Sequence, residues 1–258
     1  MPEERDWPAI FSETFARPAS AVQACVWRAV FGDEYPEGVE PFSFVTRSEL
    51  GRFADGLNVS SGDTLVDVGC GRGGPGLWVA AATGAALVGI DVAETALAAA
   101  RARAQELLLD DRARFALGSF ERTGLSDGAA DAVMSVDALL FAPDKAAAIA
   151  ELHRVLRPRG RLVFTTWDYH SQPEGRPPQL DDHRPLLEAT GFEVLAYDET
   201  EDWRGRLDRA NAGLFASVAE LAGERGAPEA EVRRDLEETA RTIEAMTRRV
   251  FAVAERRG

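Results

Sequence analysis

The chain has 258 residues, of which 45% are apolar and 28% are charged, and 43 Asp and Glu outnumber 29 Lys and Arg to give a net charge of −14. This composition is typical of a globular protein and excludes a disordered or fibrous chain. Because nucleic acid and anionic lipid would repel so acidic a surface, we expect neither nucleic acid nor a membrane as a partner.

From the start of the chain we expect a protein that is not exported. Its first ten residues, MPEERDWPAI, contain neither a basic region nor an apolar stretch, and no window of 18 apolar residues follows. With Cys25 and Cys70 as its two cysteines, the chain also lacks the thiols for a disulfide scaffold or a four-thiolate zinc site. These features predict a cytoplasmic protein that holds no metal.

Residues 1–58 are predicted to form helices that cover the rest of the domain. Val22, Val26 and Val30 recur at every fourth position, which is typical of an amphipathic helix. A second helix is expected around residues 47–57. This part of the chain therefore predicts an N-terminal helical cover.

Residues 59–202 alternate between strand-like and helix-like segments. The strand candidates in chain order are TLVDV, ALVGID, RARFALG, ADAVMSV, RLVFTTW and FEVLAYDE. Helical patterns separate most of them. Strands that alternate with helices predict an α/β fold with a doubly wound parallel sheet that is covered on both faces.

Residues 203–246 differ in composition from the core. They are rich in Ala, Glu, Arg and Leu, with pairs such as Glu237 and Arg241 four residues apart, which is typical of helices with a solvated face. A last strand is expected over residues 247–258. We therefore predict a single domain in which residues 203–246 are a helical lid inserted before the last strand.

A glycine-rich turn follows the first predicted strand. Gly69, Gly71 and Gly74 fit the pattern GxGxxG where that strand leads into a helix, so a ligand can approach the backbone there. Asp91 ends the second strand, 22 residues after Gly69, where a carboxylate can accept hydrogen bonds from both ribose hydroxyls. Together these features predict a cofactor that contains an adenine nucleoside.

Two classes of cofactor fit such a site, a dinucleotide and S-adenosyl-L-methionine. Asp67 lies just before the turn, where its charge would repel a pyrophosphate and attract the ammonium and sulfonium groups of S-adenosylmethionine. Charge therefore favours S-adenosylmethionine. An NAD(P)-dependent oxidoreductase remains the alternative.

The segments LVDVGCGRGG, VGID and LHRVLRPRGRLVFTTW occur in this order, and with them the chain resembles class I S-adenosylmethionine-dependent methyltransferases over about residues 60–168. The resemblance implies a Rossmann-like sheet of seven strands, mostly parallel, with an antiparallel last strand.

The end of the chain, a strand, a helical insertion and a strand, is similar to that of small-molecule methyltransferases of quinone biosynthesis and natural-product sugars. This similarity implies methyl transfer to a small-molecule acceptor, with a hydroxyl oxygen of a metabolite or natural product as the expected acceptor atom. Two points stay open: a protein that binds S-adenosylmethionine without methylating, and association as a homodimer.

The resemblance also implies which residues bind the cofactor. Asp67, Gly69 and Gly71 would line its methionine part. Asp91 would bind the ribose, and Val92 would pack beside the adenine.

Other expected cofactor contacts depart from the pattern of the family or lie outside its motifs. Ser119 stands where relatives often have an acid for the adenine amino group, so we expect its hydroxyl or the backbone of Phe120 there. Phe44 or Thr46 in the segment PFSFVT is expected to touch the donor. Asp137, after the fourth strand, is expected to face the cofactor, to cap the helix that follows or to bind loop backbone.

Methyl transfer from a sulfonium is an in-line displacement that positioning can accelerate, and a hydroxyl acceptor also needs a base. Sugar-type relatives often have a histidine pair where this chain has Leu140 and Phe141. We therefore expect any base after the fifth strand, with His170 as the first candidate and Asp168 as the second. The alternative for His170, in a loop rich in Pro and Gly, is a solvated surface residue.

Overall fold

The computed structural model describes residues 5–258, so the first four residues of the predicted N-terminal cover lie outside the described residues. This part of the chain contains seven strands and ten α-helices. The strands are β1 Thr64–Val68, β2 Ala86–Asp91, β3 Ala113–Leu117, β4 Ala130–Val136, β5 Leu156–Tyr169, β6 Phe192–Glu199 and β7 Met246–Arg256. The helices are α1 Trp7–Ala16, α2 Ala21–Phe31, α3 Arg47–Leu57, α4 Gly74–Thr83, α5 Glu94–Glu106, α6 Lys145–Val155, α7 Arg184–Thr190, α8 Trp203–Ala216, α9 Val218–Arg225 and α10 Glu229–Glu244.

The strands form one sheet in the order β3-β2-β1-β4-β5-β7-β6. The pairs among β1 to β5 are parallel, whereas β7 lies antiparallel between β5 and β6. The predicted fold class, a doubly wound α/β sheet with an antiparallel last strand, is confirmed. Since β1 and β4 are neighbours from which the chain winds in opposite directions, their carboxyl ends border the crevice where such sheets bind ligands.

Helices bury both faces of the sheet. Leu65 of β1 lies in a core cluster with Phe53 of α3 and Leu77 of α4. The next residue, Val66, lies in a second cluster with Ile149 of α6, because successive side chains of a strand point to opposite faces. β1 is therefore apolar on both sides, which explains why its sequence does not alternate between apolar and polar residues.

α1, α2 and α8 to α10 lie outside these two layers. α1 packs across α5, where the Thr95 hydroxyl donates a hydrogen bond to the carbonyl of Ser12 (2.9 Å). α2 packs against α8, and α8 to α10 lie in the chain between β6 and β7. Over the described range, no helix is both long enough and apolar enough to cross a membrane.

Candidate active site

The glycine turn after β1 has a backbone conformation that favours glycine. Gly69 has a φ of 74°, and a Cβ added there would lie 2.6 Å from the Cβ of Ala138. The N–H groups of Gly69 and Cys70 both donate to the carbonyl of Ile90 at the end of β2 (2.8 and 3.1 Å). The turn is thus held against β2, and its backbone borders the crevice.

Asp91 at the end of β2 is oriented by backbone hydrogen bonds. Its Oδ2 accepts from the N–H of Gly71 (2.8 Å) and its Oδ1 from the N–H of Ala93 (2.9 Å). Burial raises the pKa of this carboxyl. Each carboxylate oxygen has a further acceptor site, so Asp91 can still accept two hydroxyl donors from the crevice.

Asp67 in β1 is a buried acid with an unpaired oxygen. The residue is 1% exposed, and within residues 5–258 its Oδ2 has no hydrogen-bond partner. Burial and the nearby charge of Asp91 raise the pKa of Asp67 to about 7. Two acids held close together in a buried site favour the binding of a cation.

A cavity of about 590 Å³ lies above these residues, a volume in the range of small-molecule sites. It brings together most of the residues that the sequence predicted to bind the cofactor. Those in its wall are Asp67, Gly69, Gly71, Asp91, Val92, Ser119, Phe120 and Asp137. The remaining two, Phe44 and Thr46, do not line it.

The wall beside β3 is where the adenine was expected. Ser119 and Phe120 follow β3 and both line the cavity. Glu121, which the sequence analysis did not single out, also lines it. The sequence does indicate a role for Glu121, because it lies two residues after Ser119, the position where relatives often have an acid.

The carboxylate of Asp137 is already engaged by other residues. Its Oδ1 lies 3.0 Å from Nε of Arg249, and its Oδ2 accepts from Arg249 Nη2 (3.1 Å) and from the N–H of Phe44 (2.8 Å). Arg249 is 2% exposed and also donates to Glu49 of α3 (2.8 Å). Asp137 therefore borders the cavity while its side chain joins β7 to the N-terminal segment.

Phe44 and Thr46 lie outside the cavity wall, which differs from the expectation that one of them touches the donor. The Phe44 ring packs against Trp27 (ring centroids 5.1 Å apart) and Trp167 (6.1 Å). Thr46 caps α3, where its hydroxyl accepts from the N–H of Glu49 (3.0 Å). Their neighbours Phe42 and Ser43 line the cavity instead.

Asp168, the second candidate base, lies in a buried polar network and not in the cavity wall. The residue is fully buried, and its Oδ1 lies 2.9 Å from Nδ1 of His183 and accepts from the hydroxyl of Tyr197 (2.7 Å). Its Oδ2 accepts from Nε of Arg248 (2.6 Å). These contacts hold the carboxylate away from any acceptor in the cavity.

His170, the first candidate base, lies at the protein surface. Its Nε2 is 3.0 Å from the carbonyl of Glu244 at the end of α10, and its backbone N–H donates to the carbonyl of Ala245 (3.0 Å). It does not line the cavity. The structure thus favours the alternative of a surface residue.

Aromatic side chains form the wall opposite the glycine turn. Trp7, Phe11 and Phe15, spaced four apart along α1, all line the cavity together with Phe141 after β4. The centroid of the Phe141 ring lies 4.9 Å from that of Trp7 and 4.8 Å from that of Phe11. This wall was not predicted from the sequence, although the spacing of the aromatic residues indicates a helix with one aromatic face.

Arg72 in the glycine turn connects the turn to this wall. The residue is 8% exposed and pairs with Glu40 (2.8 Å). Its guanidinium also donates to the carbonyls of Phe15 (3.2 Å) and Arg17 at the end of α1. α1 is therefore fixed over the crevice by a residue of the turn.

The central part of the chain matches a known protein family. Residues 66–164 match a family model described as a methyltransferase domain. This range contains the glycine turn, Asp91 and the LRPRG segment. The resemblance to S-adenosylmethionine-dependent methyltransferases is confirmed over this range.

Curated relatives support the same class. The chain is 30% identical over 169 residues to the 27-O-demethylrifamycin SV methyltransferase of Amycolatopsis mediterranei, which covers 66% of this chain and 60% of that protein. It is 38% identical over 122 residues to the 24-methylenesterol C-methyltransferase 2 of Oryza sativa, covering 47% of this chain and 34% of that protein. The chain thus spans between about a third and three fifths of the length of these two relatives.

A solved structure supports the fold over nearly the whole chain. The crystal structure of the [4+2]-cyclase SpnF matches with a TM-score of 0.73 at 22% identity, covering 95% of this chain and 94% of that one. At this level of identity the similarity shows the fold alone.

Proposed function

We propose that this chain transfers a methyl group from S-adenosylmethionine to an apolar small-molecule acceptor, on a hydroxyl oxygen of a metabolite or natural product. One observation carries the proposal: Asp67 is buried and only partly hydrogen-bonded beside Asp91 at the glycine turn, inside a methyltransferase domain. The same arrangement disfavours a nicotinamide dinucleotide, because its pyrophosphate would meet two carboxylates.

The cavity residues fit S-adenosylmethionine. Asp67 faces the cavity with a negative charge for the cationic methionine part, and Asp91 has acceptor sites left for the ribose hydroxyls. Val92, Ser119 and Phe120 line the same cavity, and we expect Val92 and Phe120 to pack against the adenine and Ser119 to bind its amino group. When bound, S-adenosylmethionine supplies the methyl group of its sulfonium.

The chain contributes positioning and dehydration to the reaction. Of the described residues that line the cavity, none is a histidine, lysine or tyrosine. Glu40 and Asp137 are paired with Arg72 and Arg249, and Glu121 lies in the wall beside β3, on the side expected for the adenine. The aromatic wall of α1 excludes water from the space where nucleophile, methyl group and sulfur must align. We therefore propose transfer without a side-chain base from His170 or Asp168. The oxygen–methyl bond forms as the sulfur–methyl bond breaks, S-adenosylhomocysteine leaves, and the proton of the acceptor hydroxyl passes to solvent water.

The relatives differ in the acceptor atom, which is oxygen in one name and carbon in another. The relative named for a 27-O-demethyl substrate aligns with 66% of this chain, and the sterol C-methyltransferase aligns with 47%. The wider alignment supports oxygen as the acceptor atom, and transfer to carbon is the competing outcome.

The acidic balance of charge and the two free cysteines support a cytoplasmic protein whose partner is a small molecule.

The test is methyl transfer from a ¹³C-methyl donor to a panel of apolar alcohols and phenols. We expect labelled product by mass spectrometry and a methyl-ether resonance by ¹³C NMR, with loss of product for the Asp91→Ala variant. A C-methyl resonance would move the acceptor atom to carbon. Donor binding without any transfer would instead indicate a protein that binds the cofactor only.

A further inference from the structure

Arg176 is a cation in the cavity wall that the proposed reaction does not use. It lies in the loop between β5 and α7 and lines the cavity. Its guanidinium carbon is 4.9 Å from the ring centroid of Trp7 and 5.2 Å from that of Phe141. Within residues 5–258 its Nε has no hydrogen-bond partner and no carboxylate forms an ion pair with it.

The neighbouring cation, Arg5, differs because its charge is compensated. Arg5 pairs with Glu238 of α10 (2.5 Å) and packs on the loop, where a Cβ added at Gly175 would lie 2.9 Å from its Nε. Burial and the charge of Arg5 lower the pKa of Arg176. Glu238 also attracts Arg176 but is already paired with Arg5, so the charge of Arg176 is only partly compensated. An anion bound beside Arg176 would therefore be stabilised.

The position of Arg176 relative to the cofactor residues indicates which ligand would bring that anion. Asp91 and Ser119 lie at the ends of β2 and β3, whereas Phe141 follows β4 and Arg176 follows β5. In the sheet order these two pairs lie on opposite sides of β1. The adenosine would occupy the first side, which leaves the second side, with Arg176, for the acceptor.

The shape and charge of this second side define a class of acceptor. On the basis of the proposed function, we infer that the acceptor has a flat apolar body, packed against Trp7, Phe11 and Phe141, and one carboxylate bound by the guanidinium of Arg176. A planar guanidinium matches a carboxylate with two parallel hydrogen bonds. A monoanion fits better than a dianion because Glu238 already neutralises Arg5.

A matched pair of probes tests this inference. With the protein saturated with S-adenosylhomocysteine, 1-naphthoate and the neutral 1-naphthamide are titrated by calorimetry. We expect the wild type to bind the carboxylate roughly tenfold more tightly than the amide, as one charge-assisted contact implies. Arg176→Gln should remove this preference and leave the affinity for the amide unchanged.

The control variant is Arg184→Gln, which removes an exposed arginine that pairs with Asp182 (2.5 Å) outside the cavity, and it should keep the wild-type preference. Equal binding of the two probes by the wild type, a preference that survives in Arg176→Gln, or binding of neither probe would overturn the inference. Titration of S-adenosylhomocysteine alone separates the two proposals. Its failure to bind the wild type would remove the proposed function, whereas normal binding without a carboxylate preference would remove only the acceptor class.

Discussion

Asp67 is a buried acid whose charged form is disfavoured by burial and by the nearby charge of Asp91. Its pKa of about 7 means that the carboxyl of the free protein loses its proton near neutral pH. Because a cation is attracted to the ionised form, we expect S-adenosylmethionine to bind about tenfold more tightly at roughly pH 8 than at roughly pH 6. Calorimetry at the two pH values measures this difference, and Asp67→Asn should abolish it.

The same pKa has a consequence for the stability of the free protein. The folded state keeps a proton on Asp67 that the unfolded state, with its ordinary pKa of 3.8, has already lost. The contribution of Asp67 to stability is therefore present below about pH 3.8 and is lost as the pH rises to about 7. If the wild type and Asp67→Asn showed the same pH dependence of binding and of melting, Asp67 would not be the titrating group.

Asp91 is expected to hold the ribose. Replacing it with alanine removes two acceptor sites for the cofactor, so we expect Asp91→Ala to weaken S-adenosylhomocysteine binding by roughly ten- to a hundredfold. Calorimetry measures the loss, and a far-UV spectrum checks that the variant folds. Asp110→Ala, at an exposed position after α5, is the control. Unchanged affinity in Asp91→Ala would contradict the assigned role.

His170 is expected to be dispensable for turnover. It is held by the carbonyl of Glu244 at the surface (3.0 Å) and does not line the cavity. We therefore expect His170→Ala to keep kcat within about twofold of the wild type, since a general base contributes about a hundredfold or more. Steady-state kinetics measure kcat and KM of the variant. A large fall in kcat at unchanged KM would show that His170 is the base.

At the level of elements, the sequence predicts what depends on neighbouring residues in the chain. β1, the glycine turn and Asp91 could be predicted because strand, turn and acid follow one another within one βαβ unit. α1 shows the limit: its aromatic spacing indicates a helix, but none of its residues is buried. What Trp7 covers depends on Phe141, which lies far along the chain.

Arg249 shows the same limit for a buried charge. Its partners Asp137 and Glu49 are 112 and 200 residues away in sequence, so no local pattern predicts the group. From the sequence, Asp137 is expected to face the cofactor, cap a helix or bind loop backbone, and the structure adds an ion pair with Arg249. The Asp137 carboxylate, in the loop after β4, forms an ion pair with Arg249 of β7 and accepts a hydrogen bond from the N–H of Phe44.

This ion group is expected to be important for stability. Arg249→Met would leave the acids of Asp137 and Glu49 buried without their cation, which typically costs about 3–5 kcal/mol. Urea unfolding measures the loss. Arg209→Met is the control, because Arg209 forms an exposed pair with Asp202 (2.7 Å) and its replacement should cost less than about 1 kcal/mol. Similar losses in the two variants would mean that the buried group contributes no more than a surface pair.

For the whole molecule, the cavity depends on segments that are distant in sequence. α1, the glycine turn, the loop after β4 and the loop that carries Arg176 each supply part of its wall. A ligand that contacts several of these segments favours the folded state over the unfolded one. Cofactor binding should therefore appear as a change in global stability as well as in local contacts.

Thermal unfolding tests which cofactor does this. At a concentration of about a hundred times Kd, S-adenosylhomocysteine should stabilise the fold by about 2.7 kcal/mol, which for a domain of this size raises Tm by about 5–10 °C. NAD⁺ at the same concentration should leave Tm unchanged, because its pyrophosphate meets Asp67 and Asp91. Asp91→Ala should reduce the rise caused by S-adenosylhomocysteine. A rise with NAD⁺ and none with S-adenosylhomocysteine would instead mean that the paired acids tolerate phosphate and that the cavity binds a dinucleotide.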